Sequence, residues 1–169
     1  MKKAFLFALL SGALAGCLSQ YHWTSKVPEK MRTVSVSTFR NESDLTEFGA
    51  VASRQVLREF QREGTFGIRR VGDSAVEIQG IVKNVDTSAE SYDRRGGLRR
   101  AGYRMRVTAL VSVIDKINGK VIVDNVEYSA GVAFASGSTD LLTAKRDASG
   151  RLAEELARQI VDDVLAIKW

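Results

Sequence analysis

The chain has 169 residues, 44% of them hydrophobic and 27% charged, a balance that belongs to a globular protein and excludes a disordered one. Its formal net charge of +5 is too mild to call for nucleic acid, and a single cysteine and a single histidine exclude an internal disulfide and a multi-histidine metal site.

Lys2 and Lys3 give the chain a positive start, and Ala4–Leu10 is an unbroken apolar run. Small residues follow, down to Leu14-Ala15-Gly16-Cys17. A charged start, a short apolar stretch and a small-residue end describe a secretory signal, because a membrane span needs about 18 or more apolar residues. Leu-Ala-Gly-Cys at this point resembles a bacterial lipobox, which implies cleavage before Cys17 and lipid on its sulfur. An ordinary signal peptide with an unpaired cysteine nearby is the plainer alternative. One acyl chain binds a membrane only marginally, whereas the three chains of a bacterial lipoprotein hold it permanently. The expected organisation is therefore a signal at 1–16, a lipidated tether at 17–31 and one domain at 32–169. Leu18, in place of the aspartate that resembles an inner-membrane retention signal, points to the outer membrane.

In the tether, Tyr21, His22 and Trp23 could meet lipid headgroups or pack on the domain, and Pro28 marks a turn. Arg32–Phe39 alternates branched and small polar residues and predicts a half-buried strand, broken by Arg40-Asn41-Glu42-Ser43. Asp44 or Thr46 offers a cap for a helix to about Glu63. Its buried stripe is Phe48, Ala52, Val56 and Phe60, widened by Val51 and Leu57, and Gly64 supplies a left-handed stop. Arg54, Arg58 and Arg62 form a row on its solvent side. Ile68–Val71 predicts a short strand and Val76 to about Tyr92 a long one. Gly80 within it signals a bulge or a close approach of another group.

Asp93–Arg100 is a turn with four arginines around Gly96-Gly97. Ala101–Asp115 predicts a strand with Tyr103, Met105, Val107, Ala109, Val111 and Val113 on one face and Arg104, Arg106, Thr108 and Ser112 on the other. Asn118-Gly119 predicts a type I′ hairpin into Val121–Tyr128, since that turn takes positive φ at both central residues. Gly131–Thr139 predicts a flexible connection. Asp140 then caps a helix to about Ile167, with Leu141, Ala144, Ala148, Leu152, Leu156, Ile160, Val164 and Ile167 at helical spacing, Ala153, Ala157 and Val161 beside them, and a kink or break allowed at Gly150. The expected fold class is α+β: two helices on one face of a mostly antiparallel sheet of about four strands.

Enzyme chemistry finds little support. His22 lies in the tether, no Gly-x-Ser-x-Gly elbow, Walker loop or metal-ligand spacing occurs, and Glu154-Glu155 and Asp162-Asp163 suit a solvated helix face.

The order of motifs resembles the lipopolysaccharide-assembly lipoprotein family LptE. It includes Cys17 with Tyr21-His22 close behind, and Thr33-Val34-Ser35-Val36-Ser37-Thr38-Phe39-Arg40-Asn41 after the Pro28 turn. Glu59-Phe60-Gln61-Arg62-Glu63-Gly64 and Val76-Glu77-Ile78-Gln79-Gly80-Ile81-Val82 follow. Tyr103-Arg104-Met105-Arg106-Val107, Asn118-Gly119-Lys120-Val121 and Arg151-Leu152-Ala153-Glu154-Glu155-Leu156-Ala157 complete the series. The family often places Gly-Tyr-His directly after the cysteine, whereas Leu18-Ser19-Gln20 intervene here. The resemblance implies a non-enzymatic lipoprotein without a cofactor beyond the lipid on Cys17. Its partners would be the outer-membrane β-barrel LptD, which it plugs and helps assemble, and lipopolysaccharide, which it helps deliver to the outer leaflet. It would face the periplasm or the barrel lumen, held to the membrane by its anchor. An activator of a cell-wall synthase and a subunit of another secretion apparatus are alternatives.

With an anionic lipopolysaccharide implied, Arg94, Arg95, Arg99, Arg100 and Arg104 become candidate contacts. The guanidinium fork binds phosphate and carboxylate in a bidentate way. The same arginines could equally blunt an exposed strand end.

Overall fold

The computed structural model describes residues 27–93, 99–135 and 140–169, with the backbone alone for 91–93 and 99–101. The strands are β1 (Thr33–Val36), β2 (Arg40–Asn41), β3 (Gly67–Ile68), β4 (Val76–Asp93), β5 (Arg99–Asp115) and β6 (Lys120–Ala135). The helices are α1 (Phe48–Glu63) and α2 (Leu141–Ala166). The α+β class expected from the sequence is the class observed. Among the described residues, however, the sheet has six strands instead of about four, in the order β3-β1-β4-β5-β6 with β2 also on β4. It is mixed as well, because β1 runs parallel to β3 and β4, and β2 runs parallel to β4. The physical reason is the helix between β1 and β3. A crossover returns the chain to the same end of the sheet, so the second strand runs parallel to the first. Two-residue strands such as β2 and β3 are also too short to show a period of two.

Both helices lie on one face of the sheet and pack on each other. In α1, Phe48, Ala52, Val56 and Phe60 are buried, while Arg54, Arg58 and Arg62 stay exposed. In α2, Ala148, Leu152, Leu156, Ile160 and Val164 are buried, as their spacing predicts. They meet Met105, Val107, Ala109, Val111 and Val113 of β5 in one core. Burying each large side chain among these contributes about 1.5–3 kcal/mol. Tyr128 of β6 belongs to this interface. Burial, the nearby Asp163 charge and a hydrogen bond to that carboxylate push its phenol up to about 12.

The helix ends differ in their chemistry. Gly64 closes α1 at φ 83°, its N–H donating to Phe60 O at 3.1 Å, as expected of a left-handed stop. At the other end neither Asp44 nor Thr46 caps the helix; Glu47 holds that place without a side-chain bond. Asn41 organises the approach instead. Its Nδ2 donates to Leu45 O and Thr46 O at 2.8 and 3.0 Å, and its Oδ1 accepts from the Ser43 amide at 3.1 Å. Asp140 caps α2 as predicted, accepting from the Leu142 amide at 3.2 Å, and the helix runs through Gly150 without a break.

Two hairpins dominate the sheet. The β5–β6 turn has Lys116–Gly119 between the paired Asp115 and Lys120. Gly119 has φ 65° and is the residue of the turn with positive φ, so the turn is not type I′. Asp115 competes with that geometry: its Oδ1 accepts from the Ile117 and Asn118 amides at 2.8 and 3.0 Å, and its Oδ2 from Asn118 Nδ2 at 2.6 Å. Beyond it, β6 continues to Ala135, so much of the predicted flexible connection is strand. Asn125, at φ 47°, marks an irregularity in β6, where its amide donates to Ser112 Oγ at 2.9 Å. Val27 and Met31, at the end of the predicted tether, are core residues. Among the described residues no helix is long and apolar enough to cross a membrane.

Candidate functional site

The β4–β5 hairpin carries the candidate arginines. Cys17, Arg94 and Arg95 lie outside the described residues. Arg99 and Arg100 open β5, their backbones opposite Asp93 and Tyr92. Register shifts at Ala89–Ser91 and Ser91–Tyr92 interrupt the ladder near this end, and such bulges increase local twist. Since β4 has 18 residues and a strand rises about 3.3 Å per residue, the arginine end lies about 55 Å along the strand from its start at Val76.

Arg104 stands on the sheet face that the helices leave open, and its Nε donates to Glu90. Both side chains are partly exposed, at 35% and 40%. The sequence alone places Arg104 in the cluster without this partner, because the pairing depends on a hairpin register that shifts at Ala89–Ser91. Ser88 is opposite Arg104 and Asp86 opposite Arg106, so the distal part of the open face is polar and mixed in charge. On the core side of the sheet, Tyr103 of β5 stacks on Phe134 of β6 with ring centroids 5.3 Å apart. The stack ties β5 to β6 on the core side, while the Arg104–Glu90 pair lies on the open side.

A second feature of the open face leaves no local signal in the sequence. A depression of about 270 Å³ is lined by hydroxyl and amide groups of Ser37, Thr38, Gln79, Ser112 and Asn125, with Arg40, Ile81 and Leu110. Beside it Glu77, 4% exposed, accepts from Ser37 Oγ at 2.7 Å and Gln79 Nε2 at 3.0 Å, and pairs with Lys116 Nζ at 3.1 Å. Burial pushes this carboxyl up, but the three bonds and the lysine charge outweigh it and hold Glu77 below the usual carboxylate range. Ser35 and Ser74 share a hydrogen bond of 2.7 Å nearby. These groups gather on one face only once β1 lies parallel to β4, a pairing that adjacent strand patterns do not announce. Among the described residues no group of three or more His, Cys, Asp or Glu is placed to hold a metal ion.

Several solved structures share the fold at low identity. The hypothetical protein CT253 of Chlamydia trachomatis superposes with a TM-score of 0.57 at 15% identity, covering 79% of this chain and 95% of that one. A candidate lipoprotein of Caulobacter crescentus CB15 gives 0.52 at 16% identity, covering 81% and 91%. A minor lipoprotein of Acinetobacter baumannii gives 0.51 at 12%, covering 80% and 94%. No curated protein sequence matches the chain. The sequence model of the family LptE, lipopolysaccharide-assembly, matches residues 31–164, from the end of the predicted tether to the last turns of α2. The match takes in the six described strands, α1 and all but the last two residues of α2, and the chain belongs to the LptE family.

Proposed function

We propose that this protein is an outer-membrane lipoprotein, anchored through Cys17, that plugs the LptD β-barrel, helps it assemble and assists delivery of lipopolysaccharide to the outer leaflet. The family match over 31–164 carries this reading. The open sheet face supports it. Asp86, Ser88, Arg106 and Ser129 are exposed there, and a polar surface suits the polar lumen of an outer-membrane barrel. Arg94, Arg95, Arg99, Arg100 and Arg104 are the proposed contacts to anionic groups of lipopolysaccharide. The role is one of binding and assembly, so it needs no catalytic residue and no cofactor besides the covalent lipid. Depleting the protein from cells is expected to lower the amount of correctly assembled barrel and to open the permeability barrier. Unchanged barrel levels with an intact barrier would overturn the proposal and favour activation of a cell-wall synthase.

A further inference from the structure

The turn of the β5–β6 hairpin stands beside the point where the chain enters the domain. Thr33, the first residue of β1, accepts from the Ala75 amide at 2.8 Å through its hydroxyl, and the Lys116 amide donates to Ala75 O at 2.8 Å. Lys30 lies in the short turn Glu29–Met31 that leads directly into β1, so it belongs to the same end of the sheet. The start of the domain and the hairpin tip therefore form one surface, at the opposite end of β4 from the arginines.

That surface combines apolar and cationic groups. Ile117 is 52% exposed and Val121 48%. Lys30, Arg32, Lys116 and Lys120 are exposed around them, whereas Glu29 is the one exposed carboxylate across 27–32 and 115–121. Asp115 is turned inward and occupied by the turn amides, and the partner of Lys116, Glu77, is itself buried. The tip is held in shape by those bonds. Nine residues separate Cys17 from Val27, and a chain of that length spans at most about 35 Å when extended. A lipidated Cys17 would thus keep this surface next to the bilayer at high effective concentration.

We propose that Lys30, Arg32, Lys116 and Lys120 rest on the anionic headgroups of the bilayer that holds the anchor, with Ile117 and Val121 entering its interface. This rests on the lipoprotein reading above and adds a second, weaker membrane contact to the acyl chains, oriented so that the arginine hairpin points away. Basic residues near an anionic surface each strengthen such contact about fivefold.

The test uses the full lipidated chain in vesicles. Cys17 is the sole cysteine, so Ile117→Cys adds one free thiol for an environment-sensitive fluorophore, and Ser88→Cys on the distal part of β4 serves as the control. In vesicles containing phosphatidylglycerol, the label at 117 is expected to shift to the blue and to resist acrylamide, while the label at 88 stays open. Adding Lys116→Glu and Lys120→Glu, or using phosphatidylcholine alone, is expected to restore access at 117. A retained chain whose label at 117 is quenched as freely as that at 88 overturns this proposal alone. Shielding that persists in phosphatidylcholine overturns the role of the cations, and shielding that needs the co-reconstituted barrel assigns the patch to protein instead. A chain that washes off the vesicles overturns the anchor and this contact together.

Discussion

The ring of Phe39 fills the space that a side chain at Gly80 would need: a Cβ built there would stand 2.5 Å from Cδ2 and Cε2 of the ring. The cause is a mismatch in register. Val36 pairs with Ile78 and Arg40 with Ile81, so three residues on one side face two on the other. The extra residue bulges, and Phe39, 2% exposed, turns into the core. Gly80→Ala is therefore expected to destabilise the domain by about 1–3 kcal/mol, the usual range for overpacking. Urea unfolding of Gly80→Ala alone and with Phe39→Leu measures the coupling. Relief of part of the cost by the smaller side chain is the expected result, and equal costs in both backgrounds would refute the contact.

Glu77 makes stability depend on acid. Its folded pKa is lowered, so the stabilisation is present above the unfolded value, about 4.3, and is lost as pH falls through the folded one. Stability should be nearly level from pH 7 to pH 5 as far as this group is concerned and decline below that. The contribution to the slope is at most about 1.4 kcal/mol per pH unit for one proton. Thermal unfolding across that range is expected to show a shallower decline in Glu77→Gln, whose stability at pH 7 starts lower. A slope identical to the parent's would remove Glu77 from the acid response.

Long periodic elements were legible in the sequence because burial imposes their spacing directly. The stripe Phe48-Ala52-Val56-Phe60 and the alternation from Tyr103 to Val113 are of this kind. Gly80 signalled a close approach, and Phe39 is the group that makes it. What stayed hidden depends on residues distant in the chain. The parallel pairing of β1 with β4 joins positions some 42 residues apart, Val34 with Val76, and leaves no local mark. Asn118-Gly119 suggested type I′, but the preceding Asp115 captures the turn amides and changes its geometry. For the site, arginines 94, 95, 99, 100 and 104 were visible as a cluster, whereas the Glu90 partner of Arg104 follows from a shifted register.

Gly150 offers a test of helix propensity free of packing effects. It lies inside α2, and a Cβ there would meet nothing within 4 Å. Alanine avoids glycine's larger loss of backbone freedom on folding, so Gly150→Ala is expected to stabilise the domain by about 0.5–1 kcal/mol. The denaturation midpoint should rise with an unchanged slope against urea. A neutral or destabilised variant would show that flexibility at this point of the helix, and not glycine's entropy alone, sets local stability.

Arg104 and Glu90 allow the arginine hairpin to be tested in both directions. Both groups are partly exposed, and an ion pair of that kind is worth only about 0–1 kcal/mol, so Glu90→Gln should leave folding nearly intact. It also removes a carboxylate that competes with an anionic ligand for the guanidinium. If the hairpin contacts lipopolysaccharide, Glu90→Gln is expected to tighten binding and steepen its salt dependence, because one more arginine is free to pair with phosphate. Replacing Arg94, Arg95, Arg99 and Arg100 with serine is expected to do the reverse. Loss of about 1.4 kcal/mol or more would weaken binding at least tenfold. Titrating lipopolysaccharide into the full chain at two salt concentrations, with folding checked by circular dichroism, reads both effects. Affinity unmoved by either change would mean that the arginines only keep the strand ends from pairing with other chains, and that lipopolysaccharide is met elsewhere on the molecule.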